Sequence, residues 1–238
     1  MLYEYRTLRF EFFVRHLIVK PFAQLMDLSD IAVDENPDLL VWPEASVPPL
    51  SLLDAEVVIP RLQYLDAALR EKQIWRVWGT DRRSEDGAPL NSSVLMDSEG
   101  NELAYYSKQH LVMFGEYVPF GEELPFLKKL APVGNFARGK GPGIFDMGRA
   151  KMSVIICFED VVPHLARRAA TPEVDFLLNL TNDGWFGKSH QQWQHARSAA
   201  AISSREPPRC TVAAREHSPS VQGTGSDSAK STLNAAGP

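Results

Sequence analysis

The sequence contains few cysteines, and this scarcity excludes two classes of small protein. Only Cys157 and Cys210 occur among its 238 residues. Two cysteines so far apart provide neither a disulfide framework nor a metal cluster of the usual spacing. The chain must therefore depend on an apolar core, and its 44% hydrophobic content is sufficient for one domain of roughly 200 residues.

The sequence also lacks a long apolar run and a concentration of positive charge. Spanning a membrane takes about 18 consecutive apolar residues. The nearest candidate, residues 10–26, is interrupted by Arg15, His16, Lys20 and Pro21. The formal net charge is -5, and no run of lysine and arginine indicates a nucleic-acid groove, so no nucleic-acid partner is expected.

Apolar residues recur at helical and strand spacing along most of the chain. Predicted helices cover residues 8–34 and 56–72, and a third begins near Ser189. Residues 115–148, rich in glycine and proline, predict a long structured loop. The predicted strands cover residues 39–42, 74–79, 93–96, 102–106, 152–156 and 174–180. This alternation predicts an α/β layered fold.

The C-terminal segment has a different composition. No Phe, Trp or Tyr follows Trp193, and the large aliphatic residues from Ser203 onward are Val212, Val221 and Leu233. Such a segment buries too little apolar surface to offset the entropy lost on ordering. Residues 203–238 are therefore predicted to be disordered, and Cys210 within them is given no role.

Three reactive side chains each follow a predicted strand: Glu44, Lys108 and Cys157. Strand ends commonly gather functional groups in α/β folds. A free thiol has a pKa of about 8.5, so a cysteine nucleophile needs a base such as a carboxylate. An ammonium can stabilise the thiolate and the oxyanion of a tetrahedral intermediate. Together the three groups suffice for acyl transfer through a thioester.

Each of these residues also has an ordinary structural interpretation. A cysteine after an apolar strand is often a small core residue. A glutamate after a strand is often solvated or caps a helix, and a lysine is usually a surface charge. Position alone does not decide between the two interpretations.

The segments around the three residues resemble the signatures of the nitrilase superfamily. Residues 41–46 (VWPEAS), 106–111 (YSKQHL) and 155–160 (IICFED) follow the order of its Glu, Lys and Cys signatures. Residues 110–120 (HLVMFGEYVPF) and 179–187 (NLTNDGWFG) resemble, more narrowly, the apolipoprotein N-acyltransferase family.

This resemblance, over residues 35–200, implies an α/β four-layer α-β-β-α nitrilase-like sandwich, with a partial catalytic domain over residues 1–200. It also implies a bacterial inner-membrane enzyme whose catalytic domain faces the periplasm, attached through membrane segments that this chain lacks. The implied reaction moves an acyl chain from a phospholipid to the N-terminal amine of a diacylglyceryl-modified lipoprotein cysteine. No metal or organic cofactor is implied.

The family's functional residues can be carried over one by one. Cys157 is expected to hold the acyl group as a thioester, Glu44 to act as the base and Lys108 to stabilise the oxyanion. Glu116 matches a second family carboxylate, which supports the lysine. Glu159, two residues after the nucleophile, is expected to orient its loop.

Other positions near these motifs carry weaker expectations. Asn91 resembles a family position near the site, but no direct role is expected for it. Seven apolar loop residues are expected either to shield the site and meet lipid tails or to pack as ordinary loop residues: Met113, Phe114, Tyr117, Phe120, Leu124, Phe126 and Leu127.

Several features depart from the family pattern. Met113 stands where family members usually have proline, and Phe158 replaces the more usual tyrosine. The chain is expected to be truncated at both ends, and the loss of pattern after Ala199 suggests a shifted reading frame or an unrelated terminus. A soluble carbon–nitrogen hydrolase with the same triad, or an inactive fragment, remain the alternatives.

Overall fold

The computed structural model describes residues 20–47, 55–119, 135–182 and 209–215. Three α-helices lie in these ranges: α1 (Lys20–Asp34), α2 (Ala55–Glu71) and α3 (Pro163–Ala169). A short 3-10 helix, Cys157–Val161, precedes α3. The strands are β1 (Leu39–Val41), β2 (Trp75–Arg83), β3 (Pro89–Met96), β4 (Glu102–Ser107), β5 (Gly143–Asp146), β6 (Lys151–Ile156), β7 (Phe176–Asn182) and β8 (Arg209–Arg215).

The strands form two four-stranded sheets. The first has the order β1-β2-β3-β4, in which β1 is parallel to β2 and the other pairs are antiparallel. The second has the order β5-β6-β7-β8, in which β5 is antiparallel to β6 and the other pairs are parallel.

The main core lies between the two sheets. Val77 and Leu95 of the first sheet pack in one buried cluster with Met152, Val154 and Ile156 of the second. Side chains at alternate strand positions point to the same face. Ile155, one position out of phase, therefore points to the outer face of the second sheet, where it packs with Ala169 of α3.

Helices cover the outer faces of both sheets. Phe22 and Met26 of α1 and Leu65 of α2 pack in one cluster with Leu40 and Trp42. Since α3 covers the second sheet, the order of layers is helix, sheet, sheet, helix. The predicted four-layer α-β-β-α arrangement is confirmed.

Most predicted elements are present with longer or shorter bounds. The predicted strand over 74–79 continues to Arg83, and the one over 93–96 begins at Pro89. The segment 115–148, predicted as a loop, contains β5, which pairs with β6. Residues 8–19 and the predicted helix near Ser189 lie outside the described residues.

The prediction of disorder over 203–238 is wrong for seven of its residues. Arg209–Arg215 form β8, which pairs in parallel with β7, and Cys210 lies opposite Leu177. Composition alone did not predict this strand, because the free edge of β7 supplies backbone hydrogen bonds that do not depend on side-chain size. The remainder of 203–238 lies outside the described residues.

Among the helices of the described ranges, none is both long enough and apolar enough to span a bilayer.

Candidate active site

Glu44 is positioned by a close approach between its own segment and β2. After β1, the chain passes over Gly79, whose carbonyl accepts hydrogen bonds from the Ser46 and Val47 N–H groups at 3.0 and 3.2 Å. A Cβ atom at Gly79 would lie 2.3 Å from the Pro43 carbonyl oxygen and 2.7 Å from Glu44 Cα. Only glycine leaves room for this crossing, which holds Glu44 on the inner face of the first sheet.

Lys108 follows β4 directly and continues the strand pairing. Its backbone N–H donates to the Asn91 carbonyl at 2.8 Å. The side chain is 1% exposed, and its Nζ lies 3.3 Å from Glu44 Oε1 and 3.1 Å from Glu116 Oε1. A buried ammonium is retained only when it is paired in this way.

Glu116 reaches the same point from the loop after β4. Its Oε2 accepts the Val112 N–H at 2.8 Å, and its own N–H donates to the Val112 carbonyl, also at 2.8 Å. Phe114, at the turn of this loop, has a φ of 60°. The tight turn directs Glu116 back over Lys108.

Asn91 joins the two carboxylates. Its Nδ2 donates to Glu44 Oε1 at 2.7 Å and to Glu116 Oε1 at 2.8 Å. The two like charges are held side by side because Lys108 and Asn91 both donate to them. The structure thus places Asn91 in contact with both carboxylates, near the site as its sequence position suggested.

The ammonium of Lys108 is held in its charged form. Burial on its own would lower the pKa of Lys108, but the carboxylate charges of Glu44 and Glu116 outweigh it and raise that pKa. Lys108 is thus a fixed positive charge, and its position permits it to stabilise negative charge that develops beside it.

Cys157 lies at the end of β6 in a strained backbone conformation. Its φ is 55°, in the left-handed region, which costs about 1–3 kcal/mol for a residue other than glycine. Asn179 on β7 donates from Nδ2 to the Cys157 carbonyl at 3.4 Å. The chain therefore changes direction sharply between β6 and the 3-10 helix, a backbone geometry that is also found at strand-to-helix turns carrying nucleophiles.

The thiol of Cys157 is neutral at rest. Burial raises its pKa to about 12, and the nearby Glu44 carboxylate contributes to the increase. The Lys108 ammonium, a hydrogen bond with Thr181 and the Phe158 backbone N–H oppose this effect. Because the thiolate is scarce near pH 7, the sulfur needs a base that removes its proton as it reacts.

Glu44 also connects the two sheets. Its Oε1 accepts from Asn91 and Lys108 of the first sheet, and its Oε2 accepts the Asn182 backbone N–H at the end of β7, at 2.9 Å. The carboxylate therefore lies between the carboxyl ends of the two sheets, close enough to Cys157 to alter its pKa.

Glu159 acts on the backbone around the site. It is fully buried, and its carboxylate accepts from the N–H groups of Gln109, His110 and Ile156 and from the Tyr106 hydroxyl, at 2.7–3.0 Å. Burial raises the pKa of Glu159, and these donors partly offset the increase. The carboxylate thereby ties the segment after Lys108 to the turn that carries Cys157.

The structure brings four of the five predicted site residues together. Lys108 contacts both Glu44 and Glu116 directly. Cys157 lies close enough to Glu44 and Lys108 for their charges to affect its pKa. Glu159 lies behind them and contacts mainly backbone. In the part of the chain that the structure describes, no group of three or more His, Cys, Asp and Glu side chains is arranged to hold a metal ion.

The apolar loop residues are partly described. Met113 and Phe114 are each more than half exposed, and Tyr117 is half-buried. Packing against the rest of the loop therefore does not explain the apolar side chains of Met113 and Phe114. The remaining four residues of that set lie outside the described ranges.

The two facing sheets between helix layers form a nitrilase-type sandwich. A carboxylate, an ammonium and a thiol lie together at the ends of its strands. An amidase from Nesterenkonia sp. has the same fold, with a TM-score of 0.54 at 22% identity over 83% of this chain and 70% of that one. At this level of identity the likeness concerns the fold alone.

The chain belongs to the carbon-nitrogen hydrolase family, whose profile matches residues 20–206. Among curated relatives, the apolipoprotein N-acyltransferase of Bdellovibrio bacteriovorus is 37% identical over 203 residues, covering 77% of this chain and 36% of that protein. The apolipoprotein N-acyltransferase of Geobacter metallireducens is 36% identical over 176 residues, covering 71% and 33%. The chain thus spans about a third of the length of these relatives.

Proposed function

We propose that this chain carries the catalytic centre of an apolipoprotein N-acyltransferase. In this proposal Cys157, Glu44 and Lys108 react, and Glu116 and Glu159 support them. The enzyme transfers an acyl chain from a phospholipid to the N-terminal amine of a diacylglyceryl-modified cysteine. The domain extends over residues 1–200 and acts at the periplasmic face of the bacterial inner membrane. The main support is the contact of Lys108 with both Glu44 and Glu116, beside Cys157.

The first half-reaction forms the thioester. As Cys157 Sγ attacks the ester carbonyl of the phospholipid, Glu44 takes the thiol proton, since the thiol is neutral beforehand. The Lys108 ammonium and the Phe158 N–H stabilise the negative charge on the carbonyl oxygen. The tetrahedral intermediate then expels the lysophospholipid oxygen, which takes the proton from Glu44.

The second half-reaction transfers the acyl group to nitrogen. The free amine of the acceptor attacks the thioester carbonyl while Glu44 takes one of its protons. The C–S bond breaks, and the departing thiolate, stabilised by Lys108, recovers that proton from Glu44. The products are the amide and the original thiol. Water must be kept from the thioester for the amine to compete.

An amide hydrolase is the second candidate, and one observation favours it. A mutant of the Nesterenkonia sp. amidase carries the acetamide moiety of fluoroacetamide at its active-site cysteine, and its structure matches this chain with a TM-score of 0.53 at 22% identity. In that case water, in place of an amine, resolves an acyl-enzyme formed from an amide. The names of the curated relatives favour the acyltransferase.

Incubation with a fluorescent phospholipid in detergent micelles distinguishes the two candidates. The acyltransferase predicts a hydroxylamine-sensitive label on the wild-type chain and none on Cys157→Ala. A Cys210→Ala variant is the matched control, because it removes the other thiol and should keep the label. Ammonia release from simple amides without lipid labelling would favour the hydrolase, and the absence of both activities would contradict both candidates.

A further inference from the structure

Asp81 lies beside the cluster on the inner face of the first sheet. It is two residues beyond Gly79 on β2, so the two positions point to the same face. Because Gly79 lies beneath Glu44, Asp81 is the next inward-facing position toward the end of the strand. Across the sheet, Asp81 is opposite Asn91, and the Asn91 carbonyl accepts the Lys108 N–H. Asp81 on β2, Asn91 on β3 and Lys108, directly after β4, thus form a row across the sheet.

The charges around this row do not balance. Glu44 and Glu116 already share the Lys108 ammonium. Partial burial raises the pKa of Asp81, the Glu44 and Glu116 charges add to the increase, and Arg83 only partly opposes it. The Arg83 guanidinium donates instead to the Gly87 carbonyl in the following turn.

A hydrogen-bond donor is also missing next to Asp81. Asn91 is 6% exposed, and its Oδ1 has no hydrogen-bond partner within the described part of the chain. Its Nδ2 is held by Glu44 and Glu116, so the amide cannot turn its oxygen away without losing both bonds. A buried acceptor left unpaired is costly and requires an explanation.

We propose that Asp81, together with Asn91 Oδ1, binds the α-ammonium group of the acceptor substrate before it attacks the thioester. An ammonium is compact, positively charged and carries three donors. It therefore supplies both the missing charge and the missing hydrogen bond. The inference rests on the proposed acyl transfer to an amine, for which it identifies an acceptor-binding residue.

The protons of the reaction fit this assignment. An α-amino group has a pKa of about 7.7–8.0, so near neutral pH much of the acceptor arrives as an ammonium. Of its three N–H protons, one remains on the product amide and one returns through Glu44 to the departing Cys157 thiolate. The third has to leave before attack. Asp81 takes it and, because its burial is only partial and the residue remains accessible to solvent, passes it to water.

A binding assay with a chain that cannot form the thioester tests whether Asp81 recognises the charged amine of the acceptor. The full chain carrying Cys157→Ala is titrated with a diacylglyceryl-cysteine peptide in micelles, with either a free or an acetylated amine. We expect Asp81→Asn to weaken binding of the free-amine peptide by about tenfold or more, as loss of a hydrogen bond between charged groups does. Binding of the acetylated peptide should remain unchanged. Asp86→Asn, which removes the same charge from the exposed turn after β2, is the control that should leave both affinities unaltered.

Equal losses for the two peptides, or no loss for either, would overturn the proposal. A second measurement separates it from the proposed function. In the chain with Cys157 intact, Asp81→Asn should leave labelling by the fluorescent phospholipid and release by neutral hydroxylamine unchanged, but slow release by subsaturating free-amine peptide. If no label forms while charge-selective binding persists, the acyltransferase proposal fails and the ammonium site stands. A labelling defect equal to the release defect would indicate a structural role for Asp81 and overturn the ammonium site.

Discussion

Replacing Gly79 by alanine should separate the Glu44 segment from the first sheet. The added Cβ would lie 2.3 Å from the Pro43 carbonyl oxygen, and all three of its nearest neighbours are backbone atoms that cannot rotate away. Reaching even a 3.0 Å contact requires a movement of about 0.7 Å, which a well-packed interior resists. The hydrogen bonds from Ser46 and Val47 to the Gly79 carbonyl, at 3.0 and 3.2 Å, would be strained by the same movement.

The movement affects both stability and chemistry. Overpacking of this kind costs about 1–3 kcal/mol, and each kcal/mol lowers Tm by about 2–4 °C in a chain of this size. When directed away from Lys108, a shift of that amount extends the 3.3 Å contact between Lys108 Nζ and Glu44 Oε1 beyond hydrogen-bonding distance. A misplacement of about 1 Å can reduce a rate by roughly 100-fold, so we expect a large loss in the rate of acyl-enzyme formation.

Circular dichroism melting and the rate of labelling by fluorescent phospholipid measure the two effects. Gly87→Ala is the control, because Gly87 has a φ of +81° and its added Cβ meets nothing within 4 Å. It should lose a little stability through backbone strain and keep its labelling rate. A Gly79→Ala variant that labels as fast as Gly87→Ala would refute the close-approach explanation.

Three further predictions concern the buried polar groups. Because the pKa of Cys157 is raised to about 12, alkylation of this thiol by iodoacetamide should increase steadily from pH 7 to pH 10. A plateau near pH 8.5 at Cys157 would contradict this. Asn91→Ala removes two hydrogen bonds to carboxylates and should lower the free energy of unfolding by about 2–3 kcal/mol, whereas an unchanged urea midpoint would exclude this role. Burial raises the pKa of Glu159 in the folded chain above its value in the unfolded chain. Between these two pKa values the unfolded chain loses the proton first, so the free energy of unfolding falls as pH rises. The stability of the wild type relative to Glu159→Gln should therefore fall over that interval in pH-dependent melting, and a constant difference would disprove it.

The layered fold could be predicted because its strongest signals are local. The apolar run Met152–Ile156 is buried on both faces, as expected of a strand in a parallel sheet. Strand β5 was missed because Gly143–Asp146 is only four residues long and lies within a segment rich in glycine and proline. Gly143 is needed there since a Cβ would lie 2.5 Å from the Tyr106 ring, a constraint that arises between strands distant in sequence.

Strand β8 was missed for a related reason. Arg209–Arg215 contains a single large aliphatic residue, Val212, and its two alanines and two arginines are poor indicators of a strand. Their pairing depends on the free edge of β7, which the segment's own sequence does not reveal. Local composition therefore does not predict a strand that is stabilised by pairing with the edge of a neighbouring strand.

The sequence by itself determined the types of reactive groups and their order, because Glu44, Lys108 and Cys157 each follow a strand within a recognisable motif. It did not reveal the parts played by Asn91 and Asp81. The register of β2 with β3 places those two opposite each other, and the turn at Phe114 brings Glu116 over Lys108. Only the tertiary structure decided these contacts, because hydrogen bonds and charge interactions depend on distances of a few ångströms between segments that are far apart along the chain.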